Sequence, residues 1–256
     1  MKKNKKVIYT SLTGGYDSLP QYEVIDPDFD YICFSNDYPE NTKIGQWIIK
    51  SIPLDHSNPI HLSRYAKLLP HQVLQEYDWS VWLDANLILT DKQIYNAINS
   101  CIEKGSLWYG IKHPHFNCIY TDAIACIKFG KGSFLEIKKN IDFLKRNQYP
   151  KERGLFENNF IIRKHNSDLI RKIDEEWWKI FTQFAPRDQL SLFFLFWKYN
   201  FKPNLIFDEK INTHNSNFVR FINHPAPTLL GRIKRRIKID FNCALLSLYS
   251  NIIKEK

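Results

Sequence analysis

Tyr-Asp-Trp-Ser-Val-Trp-Leu-Asp-Ala-Asn, residues 77–86, is the stretch that decides the fold. Its middle, Trp79–Leu83, is a short aromatic and apolar run that predicts a buried strand. The run stops at Asp84-Ala85-Asn86, where a carboxylate and an amide flank a small residue. Two such side chains at a strand end can converge on a hard cation, although Asp and Asn are also ordinary turn residues. The stretch therefore predicts a strand that ends in a candidate metal-binding turn.

Similar apolar runs lie before and after this strand, and several of them end in polar or glycine-containing loops. The predicted strands are Val7–Leu12, Tyr31–Phe34, Trp47–Ile49, Leu87–Leu89, Leu107–Ile111 and Phe160–Arg163. Helical spacing of apolar residues predicts further elements between and after them, at His61–Gln75, Tyr120–Arg146, Asp168–Phe184 and Asp188–Tyr199. This alternation predicts an α/β fold with a mostly parallel sheet flanked by helices. Ligands are expected at the carboxyl edge of the strands.

The last segment differs from the rest of the chain. From Leu230, apolar residues recur at spacings of three or four beside a basic cluster at Arg232–Lys238. This pattern predicts a basic amphipathic C-terminal helix, either continuous or with one break. We therefore divide the chain into a catalytic domain, residues 1–228, and this helix, residues 229–256. The helix either contacts an anionic membrane surface, which we favour, or closes the core of the domain.

The composition is that of a folded, aromatic-rich protein. Of its 256 residues, 44% are hydrophobic and 15% aromatic, which suffices for one domain with a large core. The net charge of +9 favours an anionic partner, which can be nucleic acid, a membrane surface or a phosphate-bearing substrate. Part of the basic excess lies near the two ends of the sequence, and no nucleic-acid-binding module is recognisable. We expect no nucleic acid among the partners.

The cysteines and the apolar runs indicate the compartment. Five cysteines without a CxxC pair argue against a disulfide framework or a structural zinc site. No apolar run is long enough for the hydrophobic part of a signal peptide or for a bilayer span. We expect a cytoplasmic protein, attached peripherally at the inner face of the cell membrane if its last helix binds lipid.

Several motifs together resemble a known family. His61-Leu-Ser-Arg-Tyr-Ala-Lys-Leu-Leu-Pro-His71 precedes residues 77–86, and this pair resembles the glycosyltransferase-like family of plant mucilage-related proteins and bacterial polysaccharide loci. The same order includes Val7–Asp17, Lys112–Pro114, Gly154–Asn158, Phe160–Arg163, Trp177-Trp178 and Arg187–Ser191. The family is in turn similar to retaining sugar transferases of the glycogenin and galactosyltransferase type. The resemblance implies a GT-A (Rossmann-like) fold and a hexosyltransferase, with retention of anomeric configuration favoured.

The resemblance also implies residues that bind the donor. Near the base and ribose it places Thr10, Gly14, Tyr16 and Asp17, together with the loop Ser35–Asp37. The alternative interpretation of both loops is ordinary turn chemistry. It places Arg64 and Lys67 at the diphosphate, where guanidinium and ammonium groups suit phosphate oxygens. Without the resemblance, lone charges on a helix read as solvated side chains.

The implied catalytic and substrate residues lie later in the sequence. Glu157, Asp188 and Gln189 are assigned to catalysis. His113, Asn158 and Arg187 are assigned to substrate binding. Two other readings stay open: His113 can be structural, and Asp188 can be a helix N-terminal charge favoured by the dipole.

The implied metal site combines Asp84 and Asn86 with one late histidine, and Mn²⁺ or Mg²⁺ would bind there. His214 is preferred over His224 because it follows the strand-like Leu205–Phe207. The related sugar transferases have a second Asp where this chain has Asn86, an amide that ligates hard metals with less charge.

The expected function is transfer of a sugar from a nucleoside diphosphate, with UDP favoured, to a glycan or lipid-linked acceptor in surface or capsular polysaccharide synthesis. Two alternatives are a basic nucleic-acid-binding protein and a metal-dependent hydrolase on the same scaffold. The sequence lacks the GxSxG and HExxH motifs that are common in hydrolases.

Overall fold

The computed structural model describes residues 4–15, 18–222 and 228–254. Within these ranges the chain folds into a mixed α/β structure. The strands are β1 (Lys6–Ser11), β2 (Asp30–Phe34), β3 (Lys43–Ile44), β4 (Trp47–Lys50), β5 (Trp79–Leu83), β6 (Leu87–Leu89), β7 (Trp108–Lys112), β8 (Phe156–Arg163), β9 (Asn204–Leu205) and β10 (Val219–Phe221). The helices are α1 (Pro59–Leu68), α2 (Pro70–Val73), α3 (Gln93–Lys104), α4 (Ile119–Lys128), α5 (Phe134–Arg146), α6 (Asp168–Gln183), α7 (Leu192–Lys198) and α8 (Leu229–Lys254).

The main sheet has the strand order β3-β4-β2-β1-β5-β8-β7-β9. Strands β4, β2, β1 and β5 are parallel neighbours, and β8 is antiparallel to both β5 and β7. This is the mixed, mostly parallel sheet flanked by helices that the sequence predicts. Because β8 runs backwards, its first residues lie at the same edge of the sheet as the last residues of β1, β5 and β7.

The sheet has one hydrophobic core on each face. On one face, Tyr9 and Trp82 pack with residues of α1, α4, α5, α6 and α7. On the other, Ile8 and Val81 pack with the buried side of α3. The alternation of side chains along a strand sends these neighbours to opposite faces. Both faces of β1 and β5 are therefore covered, and only the strand ends are available to ligands.

A second, two-stranded sheet brings a later part of the chain back to this edge. β6 pairs with β10 in antiparallel orientation, with Leu87 opposite Phe221. The backbone N–H of Ile222 donates to the carbonyl of Asn86 at 2.7 Å. The residues just before β10 therefore lie near the turn that follows β5.

Three helical predictions need correction. The predicted helix His61–Gln75 is two helices, because Pro70 cannot donate its backbone to a continuing helix and starts α2 instead. The predicted helical region Tyr120–Arg146 is broken between α4 and α5. Gly130 there has a positive φ of 67°, which favours glycine.

The third correction concerns Asp188–Tyr199. It is a one-turn 3-10 helix at Asp188–Leu190 followed by α7, rather than one α-helix. Ser191, between the two, has φ −140° and ψ −21°, outside helical geometry. Asp188 is therefore fixed by this short turn and not by the N-terminus of a long helix.

The last helix, α8, is observed as predicted and packs against α4 and α5. Among the described residues, no helix is both long and apolar enough to cross a membrane. All five cysteines are free thiols, as expected from their spacing. The division into residues 1–228 and 229–256 stays a prediction.

Candidate active site

The candidate site lies at the edge of the sheet where β1, β5 and β7 end and β8 begins. β5 ends at Leu83, and the backbone N–H of Asp84 donates to the carbonyl of Asn159 on β8 at 2.9 Å. α1 packs against β1 and supplies Arg64 and Lys67 from its last two turns. Asn58 caps the start of α1, since its Oδ1 accepts from the N–H of Ile60 at 2.9 Å.

Lys67 holds two carboxylates together at this edge. Its Nζ lies 2.6 Å from Asp188 Oδ2 and 3.1 Å from Asp84 Oδ1, and its side chain is only 1% exposed. Trp82 Nε1 donates to the same oxygen of Asp84 at 2.7 Å. Trp82 is two residues before Asp84, so both side chains point to the same face of the sheet. Oδ1 of Asp84 thus accepts two hydrogen bonds, and the Asp84 side chain is still 27% exposed.

Asp188 is buried and ionised. Burial alone raises the pKa of a carboxyl group, but the charges of Lys67 and Arg64 outweigh this and hold the pKa of Asp188 well below its usual range. Arg64 Nε lies 3.8 Å from Asp188 Oδ2. The indole of Trp177 donates to the backbone carbonyl of Asp188 at 2.9 Å and fixes this turn. Asp188 therefore serves as a hydrogen-bond acceptor and not as an acid at neutral pH.

Two cavities open on either side of this cluster. The α1 cavity, about 630 Å³, borders the start of α1; its lining is Ser11, Leu12, Thr13, Asn58, Pro59, Ile60, Ser63, Arg64, Trp82, Asp84, Ala85, Asn86 and Arg187. The α4 cavity, about 580 Å³, borders α4. Its lining is Arg64, Lys67, Asp84, His113, Pro114, His115, Phe116, Asp122, Ala125, Cys126, Phe129, Lys131, Glu157, Asn158, Asn159, Arg187, Asp188, Gln189 and His214. Arg64, Asp84 and Arg187 border both cavities.

The α4 cavity contains polar atoms that are buried and have no hydrogen-bond partner among the described residues. They are Asp122 Oδ2, Asn158 Nδ2, Asn159 Oδ1 and Arg187 Nε. Such atoms are costly unless water or a ligand satisfies them. Carboxylates, amides and a guanidinium together supply the donors and acceptors that sugar hydroxyl groups need.

Glu157 is held rigidly at the start of β8. Its Oε2 accepts from the N–H and the hydroxyl of Thr213 at 3.0 and 2.9 Å. Its Oε1 lies 3.4 Å from Nε2 of His214, whose ring stacks on Phe221 at 4.6 Å between centroids. The segment before β10 thus brings His214 to the α4 cavity, at Glu157.

Gln189 and Arg187 are linked to each other and to β8. Arg187 Nη2 donates to Gln189 Oε1 at 3.0 Å, and Gln189 Nε2 donates to the carbonyl of Phe156 at 3.3 Å. These bonds anchor the 3-10 turn against the strand that carries Glu157. All predicted catalytic residues therefore line one cavity, and their roles stay predictions.

His113 also borders the α4 cavity, and its imidazole supports a turn. Its Nδ1 accepts from the backbone N–H groups of His115 and Phe116 at 3.2 and 3.1 Å. Burial, aided by nearby positive groups, lowers the pKa of His113 to about 4. The imidazole is neutral at physiological pH, which its role as an acceptor in the turn requires.

The structure separates the residues predicted to bind the donor nucleoside. Thr10 is fully buried in β1 and borders neither cavity, whereas its neighbour Ser11, which faces the other way along the strand, borders the α1 cavity. The contact between Thr10 and the donor stays a prediction, and Ser11 is the residue at the end of β1 that borders this cavity. Gly14 lies in the turn after β1 with φ 77°, and the N–H of Gly15 donates to Asp37 Oδ2 at 3.2 Å. The two predicted donor loops thus meet.

Three predicted residues fall outside the described ranges. They are Tyr16, Asp17 and His224.

The comparisons with known proteins bear on this geometry. The sequence matches the model of the TOD1/MUCI70 glycosyltransferase-like domain over residues 27–224, a stretch that runs from before β2 to beyond β10. The chain belongs to this family. The family predicted from the sequence motifs is thereby confirmed, and membership supports glycosyl transfer as the general activity.

Two other comparisons complete the picture. No protein of curated function matches the sequence significantly. Among solved structures, the chain is similar to the apo WbbM bifunctional glycosyltransferase, with 12% sequence identity and a TM-score of 0.41. The match covers 78% of this chain and 38% of WbbM, so the chain spans well under two thirds of that protein.

In this TOD1/MUCI70 family member, the turn after β5 fits a divalent cation in part. Asp84 Oδ1 is taken by Lys67 and Trp82, which leaves Oδ2, and Asn86 adds an amide oxygen at the α1 cavity. Mg²⁺ commonly uses one or two protein oxygens and completes its shell with substrate phosphates. Within the described ranges, no three Asp, Glu, His and Cys side chains are grouped for a metal. His214 borders only the α4 cavity, where it pairs with Glu157, so its assignment as a ligand stays a prediction.

Sequence reasoning missed residues on the α4 side of the cavity. Asp122 is buried on α4, and its pKa is raised, chiefly by burial. Lys131 and Phe129 follow α4 and border the same cavity. The available signal was an aspartate inside the apolar run Ile119–Lys128, because a buried carboxylate is costly unless another group pairs with it. The family motifs do not include this helix.

Proposed function

We propose that this chain transfers a sugar from a nucleoside diphosphate donor to a glycan acceptor. The observation that carries the proposal is that the α1 and α4 cavities meet at Arg64, Asp84 and Arg187. A nucleotide sugar has its two negative phosphates in the middle, between a nucleoside and a sugar. Two guanidinium groups between two cavities match that distribution of charge.

The linings of the cavities suggest which half of the donor binds in each. The α1 cavity is formed by small, hydroxyl-bearing and apolar residues after β1 and at the start of α1, which suits a nucleoside. The α4 cavity has buried amide and carboxylate atoms without partners, which suits the hydroxyl groups of the donor sugar and of the acceptor. Arg64 lies between them and near Asp188.

The residues of the chain would act by positioning. Lys67 keeps Asp188 ionised, so that this carboxylate accepts hydrogen bonds from sugar hydroxyls. Thr213 orients Glu157, and Arg187 orients Gln189. When bound at Asp84 and Asn86, a divalent cation would neutralise the diphosphate as a leaving group. The binding free energy is used best where these contacts strengthen in the transition state.

The finer assignments are proposals that rest on the family resemblance. UDP is the favoured nucleotide, Mn²⁺ or Mg²⁺ the metal, and a hexose the transferred sugar, with retention of configuration. The acceptor would be a glycan or a lipid-linked glycan of a surface or capsular polysaccharide.

The test is a screen of nucleotide sugars against the full chain, with Mn²⁺, with Mg²⁺ and with chelator. Calorimetry measures donor binding, and product analysis measures transfer and hydrolysis. NMR of the anomeric proton in the product decides between retention and inversion. We expect one nucleotide family to bind and the metal to strengthen its binding.

Variants of the strand-end turn locate the site. Asp84→Ala and Asn86→Ala are expected to abolish metal-dependent donor binding, whereas Glu103→Ala, on the exposed side of α3, leaves it unchanged. Unchanged donor binding and transfer in both strand-end variants would contradict the metal assignment. Absence of binding to every nucleotide sugar tested would contradict the function.

A further inference from the structure

The helix α8 carries a stripe of large apolar side chains that faces away from the protein. Leu230, Ile233, Ile237, Phe241 and Leu248 follow one another at spacings of three, four, four and seven residues, which places them on one side of a helix. Their exposed fractions run from 48% to 69%. A contiguous exposed apolar surface of this kind usually marks an interaction site.

An adjacent side of the same helix is the one that packs on the protein. Asn242 is buried; its Oδ1 accepts from the N–H of Phe134, and its Nδ2 donates to the carbonyl of Gly132, both at 3.0 Å. Leu245, Leu246 and Tyr249 pack against the hydrophobic core. The helix is therefore attached to the domain through one face, and its apolar stripe stays exposed to solvent.

Positive charge surrounds the first half of the stripe. Arg232, Lys234, Arg235, Arg236 and Lys238 are all exposed. The acidic residue in this part of the helix, Asp240, accepts from Arg236 Nε at 3.0 Å. The first three turns of α8 thus combine exposed hydrocarbon with an excess of cations.

We propose that α8 docks the protein on an anionic lipid surface. Helices that lie in a membrane interface bury an apolar face among the acyl chains and place Lys and Arg beside the lipid phosphates. Pairing of two copies through the same stripe brings two basic clusters together, and like charges oppose such contacts. An acidic lipid surface satisfies both the apolar stripe and the charge.

The position of α8 connects this surface to the candidate site. Asn242 bonds to Gly132 and Phe134, just after Phe129 and Lys131, which border the α4 cavity. Phe129 and Leu135 are further exposed apolar side chains on this segment. Docking would therefore bring the α4 cavity close to the membrane, where an acceptor linked to a lipid is presented. This last step rests on the proposed function, whereas the docking itself does not.

The test is sedimentation of the full chain with vesicles. We expect binding to phosphatidylcholine vesicles that contain phosphatidylglycerol, weaker binding to phosphatidylcholine alone, and release by salt. Ile237→Glu should weaken binding to the anionic vesicles by roughly tenfold or more, because it places a charge in the apolar stripe. Ile25→Glu is the matched control, since it makes the same change at an exposed isoleucine of the loop before β2.

Several outcomes would overturn the proposal. They are absence of wild-type binding to anionic vesicles, equal binding by the Ile237→Glu and wild-type chains, and a dimer in solution that Ile237→Glu dissociates while vesicles bind neither form. Thermal unfolding verifies that the variant folds. Donor binding without vesicles, measured on the same variant, separates a failure of docking from a failure of the proposed function.

Discussion

Two buried cations, Arg163 and Lys67, lie next to each other in this protein and differ in what surrounds their partners. Arg163 is fully buried and donates to Asp174 at 2.7 Å, to Tyr9 at 2.8 Å and to the backbone carbonyl of Lys67. Asp174 is also fully buried. Both carboxylate partners of Lys67, in contrast, border the α4 cavity. The burial of a charge does not by itself indicate function; the access of its partner to a cavity does.

The largest expected effect concerns the fully buried pair of Arg163 and Asp174. Arg163→Met leaves Asp174 without its cation in the core, and we expect the free energy of unfolding to fall by about 3–5 kcal/mol. Urea unfolding followed by circular dichroism measures it. The double variant Arg163→Met, Asp174→Leu should recover much of the loss, because no buried carboxyl group is left without its partner. A loss below about 1 kcal/mol in the single variant would remove the distinction between the two cations.

The second effect concerns Lys67 and its two carboxylate partners at the α4 cavity. Lys67→Met removes the cation that orders Asp84 and Asp188, and we expect kcat/KM for transfer to fall at least about a hundredfold, or about 2.7 kcal/mol. Steady-state kinetics with the donor found in the screen measures it. Lys198→Met is the control, since Lys198 pairs with Glu176 at the surface. Equal activity of the Lys67→Met and control variants would place the reaction elsewhere.

The third prediction concerns how the stability that ionised Asp188 provides depends on pH. The pKa of Asp188 in the folded protein is below the value of about 3.9 for an unfolded aspartate, so its ionised form stabilises the fold at neutral pH. This stabilisation is lost as the pH falls below about 4 towards the folded-state pKa. Asp188→Asn should therefore lower the free energy of unfolding by about 1–3 kcal/mol at pH 7, and the gap should narrow below about pH 4.

Unfolding curves from about pH 7 to about pH 2.5 test this sign, since they span the pKa of an unfolded aspartate. A gap that is constant over that range would show that Asp188 does not owe its ionisation to the cations around it.

The smallest effect compares two buried asparagines. Asn140 Nδ2 donates to the carbonyl of Leu190 at 2.9 Å, whereas Asn158 Nδ2 has no partner in the described part of the chain. Asn140→Leu should cost about 1–3 kcal/mol of stability, because it orphans a carbonyl, and Asn158→Leu should change stability by less than about 1 kcal/mol. Only Asn158→Leu is expected to weaken binding of the donor. Equal loss of stability in both would show that Asn158 is a structural group.

The sequence predicts the sheet well because local patterns determine it. Trp79–Leu83 is observed as β5 with the predicted boundaries, and Asp84 follows it at the strand edge. The break at Pro70 also has a local signal, because proline cannot continue a helix, although the apolar spacing on both sides favours one long helix. Local signals thus suffice for the elements when all of them are weighed.

The site is only partly predictable for a different reason. Arg64, Lys67, Asp84 and Asp188 were expected in one site and are found together. Nothing in a local pattern states that Lys67 pairs with a residue far along the chain, so its role as the bond between two carboxylates required the fold. Thr10 and Ser11 are neighbours on one strand and face opposite sides of the sheet, and only Ser11 borders the α1 cavity, a difference that the sequence pattern alone does not resolve.

Asn242 has one more consequence, for the rotation of α8 about its own axis. Turning the helix by one residue, about 100°, would carry Phe241 inward and Asn242 outward, and the protein would hide part of its own apolar stripe. The two hydrogen bonds of Asn242 exist in only one of these seatings. The amide of Asn242 thus fixes the rotation of α8 in which more apolar surface is exposed to water. The same side of α8 therefore faces outward before the protein meets any surface.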